Sequence, residues 1–400
     1  MVEDIFKNVK KGEWLFVGIL LLFFVTDALN VIIFHGAFDD LITITKYTKL
    51  SAYSKFLFLS AYLVYLLIKE IRLLIWGALF LIFFFSFPIL IYGISVDVIF
   101  TLLLRFSKLL LPVLLLDFLI RLRTDRTGIV FSIYKILLLV QVVIVILAFV
   151  FNWDIFRTYG GVRFGYSGLL YAQNEATFYY VIAAVFVFKL WEDTKNRNYL
   201  LLLGFVLLAA VLLGTKAVFL FLGSFIIFLG LYYRLYKKLY SWIAGFVGVL
   251  LVVLFLYNAG IIEYYLNQAN EEGWLFMITS KRNVLIAERL PEVFGNWHWY
   301  NYLFGGVNPA TSFVEMDLID LFLFGGIIGS ALYYILLFKT IFKFSKNNYI
   351  GWFLVSQYFL IGGLAGHVFA SGINAIYLAL TSYYLQRSDE LPPPTPTKGG

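Results

Sequence analysis

The 400-residue chain contains no cysteine, which excludes a disulfide framework and any thiolate metal site. Histidine is nearly as scarce. The three, His35, His298 and His367, fall in no HxxH or HExxH spacing, so the sequence carries no zinc-hydrolase signature. Charge is thin as well: Asp, Glu, Lys and Arg make up 14% of the residues against 62% hydrophobic. A mean hydropathy of +0.88 excludes an ordinary soluble domain, because no water-facing surface could hide that much apolar side chain; the solvent is lipid. No fixed-period repeat is visible, and the two halves show no similarity, which weighs against transporter folds built from paired repeats.

What the chain has is apolar runs. Bounded by charges and turns, they predict an all-α polytopic membrane protein with about twelve transmembrane helices, over roughly 14–34, 51–68, 73–93, 98–120, 129–151, 168–190, 199–213, 217–233, 240–258, 318–338, 349–366 and 370–386. The first run reads as a span rather than a cleaved signal, since it is too long for a signal h-region and lacks a small-residue cleavage site. The Pro-rich end, residues 388–400, predicts a disordered tail after a single membrane domain over 1–387.

The net charge of +7 is a topology signal rather than a nucleic-acid footprint. With the N-terminus inside, nineteen of the 31 Lys and Arg residues fall on cytoplasmic segments, nine on outer segments and three within spans. This bias predicts both termini in the cytoplasm. It also puts the one long polar segment, residues 259–317, on the outer side as an extracytoplasmic loop.

Cations on that outer side run against the bias, so each needs a reason. Arg163 stands in a glycine-rich stretch, Gly160-Gly-Val-Arg-Phe-Gly165, whose open amides suit an anion; the alternative is an exposed loop arginine. Lys216 lies in a Gly-Thr-Lys turn between two short runs, which predicts a recess below the outer surface; it either snorkels to headgroups or faces an anionic ligand. Arg282 and Arg289 are seven apart in a helical stretch, on one face, with Arg289 read as solvated. Arg105 and Lys108 share a face inside the fourth span, either serving a ligand or pairing with Asp27, Asp97 or Asp117. Where the loop re-enters the membrane, Glu315, Asp317 and Asp320 crowd six residues, more than helix capping needs. His367, near the end of the eleventh span, is the outer membrane-edge group that titrates near neutrality without perturbation.

In order and spacing these segments resemble the O-antigen polymerase and O-antigen ligase superfamily, membrane glycosyltransferases of bacterial envelope polysaccharides. The resemblance runs over roughly 155–385. Its carriers are Arg163-Phe-Gly165 with Gln173-Asn174-Glu175, Leu213-Gly-Thr-Lys216, Ser280-Lys-Arg282, Leu303-Phe-Gly-Gly-Val307, Glu315-Met-Asp317 and Phe324-Gly-Gly-Ile-Ile-Gly329. Lysine replaces the arginine usual at 216, which removes a bidentate donor. His367 lacks the His-Asn pattern of the ligases, since Asn374 comes seven residues later, and this favours a polymerase.

The resemblance implies a GT-C-like glycosyltransferase in the bacterial cytoplasmic (inner) membrane. It would transfer a glycan from a polyprenyl diphosphate to the hydroxyl of a lipid-linked repeat unit, with neither cofactor nor metal. Arg163, Lys216 and Arg282, with Arg105, Lys108 and Arg289, would bind the diphosphate, and Glu315, Asp317 or His367 would take the acceptor proton. The implied partners are polyprenyl-diphosphate-linked oligosaccharides, membrane lipid and a chain-length regulator protein, with no nucleic acid. The alternatives are a ligase to another acceptor and a flippase for the same lipid-linked glycans.

Overall fold

A computed structural model describes residues 11–33, 50–69, 96–158, 164–170, 172–306 and 314–390. Among these residues the fold is all-helical, without a β-strand. The helices are α1 (Lys11–Ile32), α2 (Leu50–Lys69), α3 (Val96–Leu122), α4 (Ile129–Val150), α5 (Gln173–Thr194), α6 (Arg197–Leu213), α7 (Lys216–Tyr232) and α8 (Leu239–Asn258). They continue with α9 (Ile261–Glu272), α10 (Trp274–Thr279), α11 (Arg282–Gly295), α12 (Trp299–Phe304), α13 (Asp317–Lys339), α14 (Tyr349–Ala365) and α15 (Gly372–Glu390).

The ends follow local chemistry. Side chains of Asn196, Thr215 and Asn348 accept amide hydrogens at the starts of α6, α7 and α14. Gly214, at φ +71°, closes α6 in the left-handed conformation that glycine adopts without strain.

α5 is the hub. Every side chain from Ala176 to Phe188 is buried, as expected of a helix apolar all round. It packs against α6, α7, α14 and α15, and α15 in turn packs on α3. The outer helices are two-sided: α4 buries Phe131, Tyr134, Leu138, Val142 and Val145 but exposes Ile136, Leu139 and Val143. Exposed apolar stripes of this kind also run along α1, α6, α7 and α8, the pattern of helices solvated by lipid.

α1, α4 and α13 are long and apolar enough to cross a membrane. A fourth candidate is the pair Leu250–Asn258 and Ile261–Glu272, bent by 74° at Gly260. Among the described residues this is three spans, or up to four, where the apolar runs predict about twelve. Helical length accounts for part of the difference. α6, α7 and α14 have 17 residues each, about 25 Å at 1.5 Å per residue, short of the roughly 30 Å hydrocarbon core. The run expected over 73–93 lies outside the described residues. α15 continues to Glu390, so residues 388–390 are helical where a disordered tail is expected; the rest of that tail lies outside the described residues.

The polar segment is not a loose loop. It folds as α9 to α12, and Trp274–Leu290, one helical stretch by pattern, breaks into α10 and α11 at Ser280 and Lys281, both left-handed at φ +52° and +73°. Two glycine pairs then tie it to α13. Gly326 interrupts α13 with φ +61° and ψ −167°, and a Cβ there would collide with the backbone of Leu303. A Cβ on Gly305 would collide with the carbonyl of Phe324, and the Gly306 amide donates to Leu323 O at 3.2 Å. Backbone approaches this close admit only glycine.

Candidate functional site

The break between α10 and α11, the residue before α13, the starts of α5 and α7 and the end of α14 line a cavity of about 420 Å³. Among the described residues two cations, Lys216 and Arg282, line it, together with Asn174, Thr215, Ser280 and apolar side chains from α7 and α14, and no carboxylate does. Lys216 and Arg282 are each the first residue of a helix, α7 and α11, and Asn174 is the second of α5. Met316, immediately before α13, lines the same space. Residues at the starts of four helices, the positive ends of their dipoles, therefore line one recess.

The two cations are fixed by the opposite kind of helix end. Arg282, only 7% exposed, donates through Nε to Glu315 O at 2.7 Å, through Nη2 to Ala365 O at 2.7 Å and through Nη1 to Thr279 O at 3.3 Å. Thr279 and Ala365 close α10 and α14, so the guanidinium satisfies terminal carbonyls and favours the negative dipole ends. Ala365 O also accepts from Asn174 Nδ2 at 2.7 Å, which joins α5, α11 and α14 at one atom. Lys216 Nζ donates to Met277 O and, at 3.1 Å, to Ser280 Oγ, and lies 4.6 Å from the centre of the Tyr265 ring. These contacts orient the ammonium toward the cavity that it lines.

Beside the cavity, the three carboxylates separate into roles. Asp317 is buried and accepts three backbone amides: His367 at 2.8 Å, Val368 at 2.6 Å and Phe369 at 2.8 Å. Asp320 accepts the amides of Val314 at 2.8 Å and Met316 at 3.1 Å. Both therefore hold backbone: Asp317 the turn between α14 and α15, Asp320 the approach to α13. The side chain of Glu315 is 47% exposed, with Oε2 3.7 Å from Arg282 Nη2. Of the three it is the carboxylate open to solvent. Its own backbone is left-handed (φ +62°), and so is that of His367 (φ +61°). Gly366, between α14 and His367, is held so close to Glu315 O that a Cβ would collide with it.

The structure thus brings Lys216, Arg282 and Glu315 together. It gives Asp317 a supporting place rather than an open one, and leaves His367 on the turn that Asp317 holds. Arg289 is two turns along α11 from the cavity and does not line it. Arg163 lies outside the described residues. Its chain neighbour Phe164 has its carbonyl 2.6 Å from where a Gly214 Cβ would be, two residues before Lys216, and Tyr166 N donates to Leu212 O at 2.8 Å. Arg105 belongs to α3, and Lys108 lines a second cavity instead. Of the counter-charges expected for them, Asp27 pairs with Lys55 at 2.5 Å and lines the same cavity as Lys108, Asp117 pairs with Arg121 at 2.7 Å, and the side chain of Asp97 lies outside the described residues.

Sequence reasoning missed Asn174, Thr215 and Ser280 as lining residues. Thr215 and Ser280 each stand at a helix boundary beside a cation, whereas Asn174, in the first turn of α5, carries no such signal. Among the described residues no three His, Asp or Glu side chains converge as a metal site. No family model matches the chain, and neither a curated protein nor a solved structure is similar to it.

Proposed function

We propose that the chain is a glycosyltransferase of the bacterial cytoplasmic membrane, of the O-antigen polymerase kind, which lengthens an envelope polysaccharide from polyprenyl-diphosphate-linked units. The observation that carries this reading is the cavity where Lys216 and Arg282, 66 positions apart in sequence, meet at the starts of four helices, with no carboxylate among the described lining residues. Such a recess suits an anion of high charge density, and its apolar walls (Leu220, Ile361, Leu364) suit the hydrocarbon attached to it.

In the proposed reaction the acceptor hydroxyl attacks the anomeric carbon of the donor glycan. A C–O bond forms, the bond to the diphosphate breaks, and the electron pair leaves with the polyprenyl diphosphate. Lys216 and Arg282 stabilise that developing charge in a low-dielectric site. Glu315, the exposed carboxylate beside Arg282, takes the proton of the hydroxyl. Asp317 orders the turn that carries His367 and acts through it. In this reading the chain has the twelve-span, GT-C-like topology with both termini in the cytoplasm; the short helices cross with their ends drawn in around the recess.

The test is polymer length in cells that depend on this protein. Lys216→Ala abolishes long chains in the proposed reading, while Arg289→Ala keeps them. Normal chains with Lys216→Ala would refute it.

A further inference from the structure

A second cavity, about 260 Å³, lies between α1, α2, α3, α5 and the start of α15, and the proposed reaction leaves it unused. It backs onto the first one. Asn174 lines the first and its neighbour Glu175 the second; Ala365 lines the first and Gly372 the second, with the turn held by Asp317 between them. Its chemistry is different. Two ammonium groups, Lys55 and Lys108, stand with two carboxylates, Asp27 and Glu175, so among the described residues the lining is formally neutral. Glu175 accepts from Ser371 Oγ at 2.8 Å, and Asp27 is shared by Lys55 and Ser51. Asn30 also lines the space, and its buried Oδ1 has no hydrogen-bond partner. A hydroxyl group placed in the space would supply that oxygen with a donor.

A neutral lining does not select a diphosphate. Alternating fixed donors and acceptors match hydroxyl groups, which both donate and accept. The volume falls just below the ~300 Å³ at which ordinary small-molecule pockets begin, enough for one ring rather than a chain. We infer that this cavity is a saccharide site, taking a single neutral, hydroxyl-rich sugar ring, and that within the proposed reaction it holds the terminal sugar of the acceptor. The second clause rests on the glycosyltransferase reading; the site itself does not. Gly372 keeps it open, since a Cβ there would stand 2.8 Å from Lys55 Cδ.

The test is photo-labelling of the purified full chain with diazirine-bearing alkyl glycosides of hexoses and N-acetylhexosamines, with the sugar-free diazirine alkanol as control. The expected labels fall on α1, α2 and the start of α15. They should drop about tenfold in Glu175→Gln and in Asn30→Leu, the loss of one hydrogen-bonded partner of a charged or buried group. Unchanged melting temperatures show that the variants are folded, and Gly372→Ala serves as a third variant that alters only the space. Equal labelling by the control, or labels that ignore all three variants, would overturn the site. Labelling as expected in a protein that never lengthens a chain supports the site and refutes the glycosyltransferase reading. Chain lengthening with unaltered acceptor dependence in all three variants refutes the acceptor role.

Discussion

Replacing Asp317 with asparagine and Glu315 with glutamine should abolish activity by different routes, one through stability and one without it, although the two carboxylates are two residues apart. Asp317 is buried and receives three amide hydrogens, at 2.8, 2.6 and 2.8 Å, all from the turn after α14. Hydrogen bonds to a charged group contribute about 1.5–3 kcal/mol each. Asparagine keeps one oxygen and turns an NH2 toward the amides on the other side. At least one backbone N–H is then buried unpaired, at about 1–3 kcal/mol, beside a donor that repels it. The left-handed conformations of Gly366 and His367, at φ +64° and +61°, lose the clamp that holds them. Asp317→Asn should therefore cost about 3 kcal/mol and lower the melting temperature by several degrees, with activity falling alongside. Glu315→Gln removes a charge from a side chain that is 47% exposed and should leave the melting temperature unchanged while abolishing chain lengthening. The assay is intrinsic tryptophan fluorescence on heating the detergent-purified variants, paired with polymer analysis. A full-stability Asp317→Asn, or a fully active Glu315→Gln, would refute the division of labour.

Other substitutions test the frame around the site. Gly305→Ala and Gly326→Ala each drive a Cβ into backbone, and each should cost more than about 3 kcal/mol, seen as loss of folded protein in size-exclusion chromatography. Asp27→Asn leaves Lys55 buried without its counter-charge and should destabilise by about 3–5 kcal/mol; Asp27→Leu with Lys55→Met should recover much of that in the same melting assay. Arg289→Ala, away from the cavity, should stay within about 0.5 kcal/mol of the parent.

Much of the helical frame is legible in the chain. Apolar periodicity places α4, α6, α7, α8, α13 and α14 within a few residues of their observed bounds, because lipid-facing and core-facing positions are both apolar and their runs are interrupted only at turns. The conjunction of Lys216 with Arg282 is an expectation of the family resemblance alone; the short runs point only to a recess at Lys216. Three things were not legible. The polar segment shows one helical stretch around Arg282 and Arg289 but no sign of being four helices, of which α11 and α12 pack against a broken α13; the paired glycines at 305–306 and 325–326 are the trace of it, but close backbone approach is a property of two segments and neither shows it alone. Asp317 looks like Glu315 in sequence, and only the amides of residues 367–369, 50 positions away, separate a clamp from an open carboxylate. Lys108 reads as a partner for the first site, yet the packing of α3 turns it to the second cavity.

The most direct measurement is incubation of the purified protein with the lipid-linked oligosaccharide repeat unit, followed by sizing of the products. Ladders of longer lipid-linked chains, lost in Lys216→Ala and in Glu315→Gln, are the predicted result. Transfer to a different acceptor would make the protein a ligase. Movement of the substrate across a bilayer without any new glycosidic bond would contradict the account.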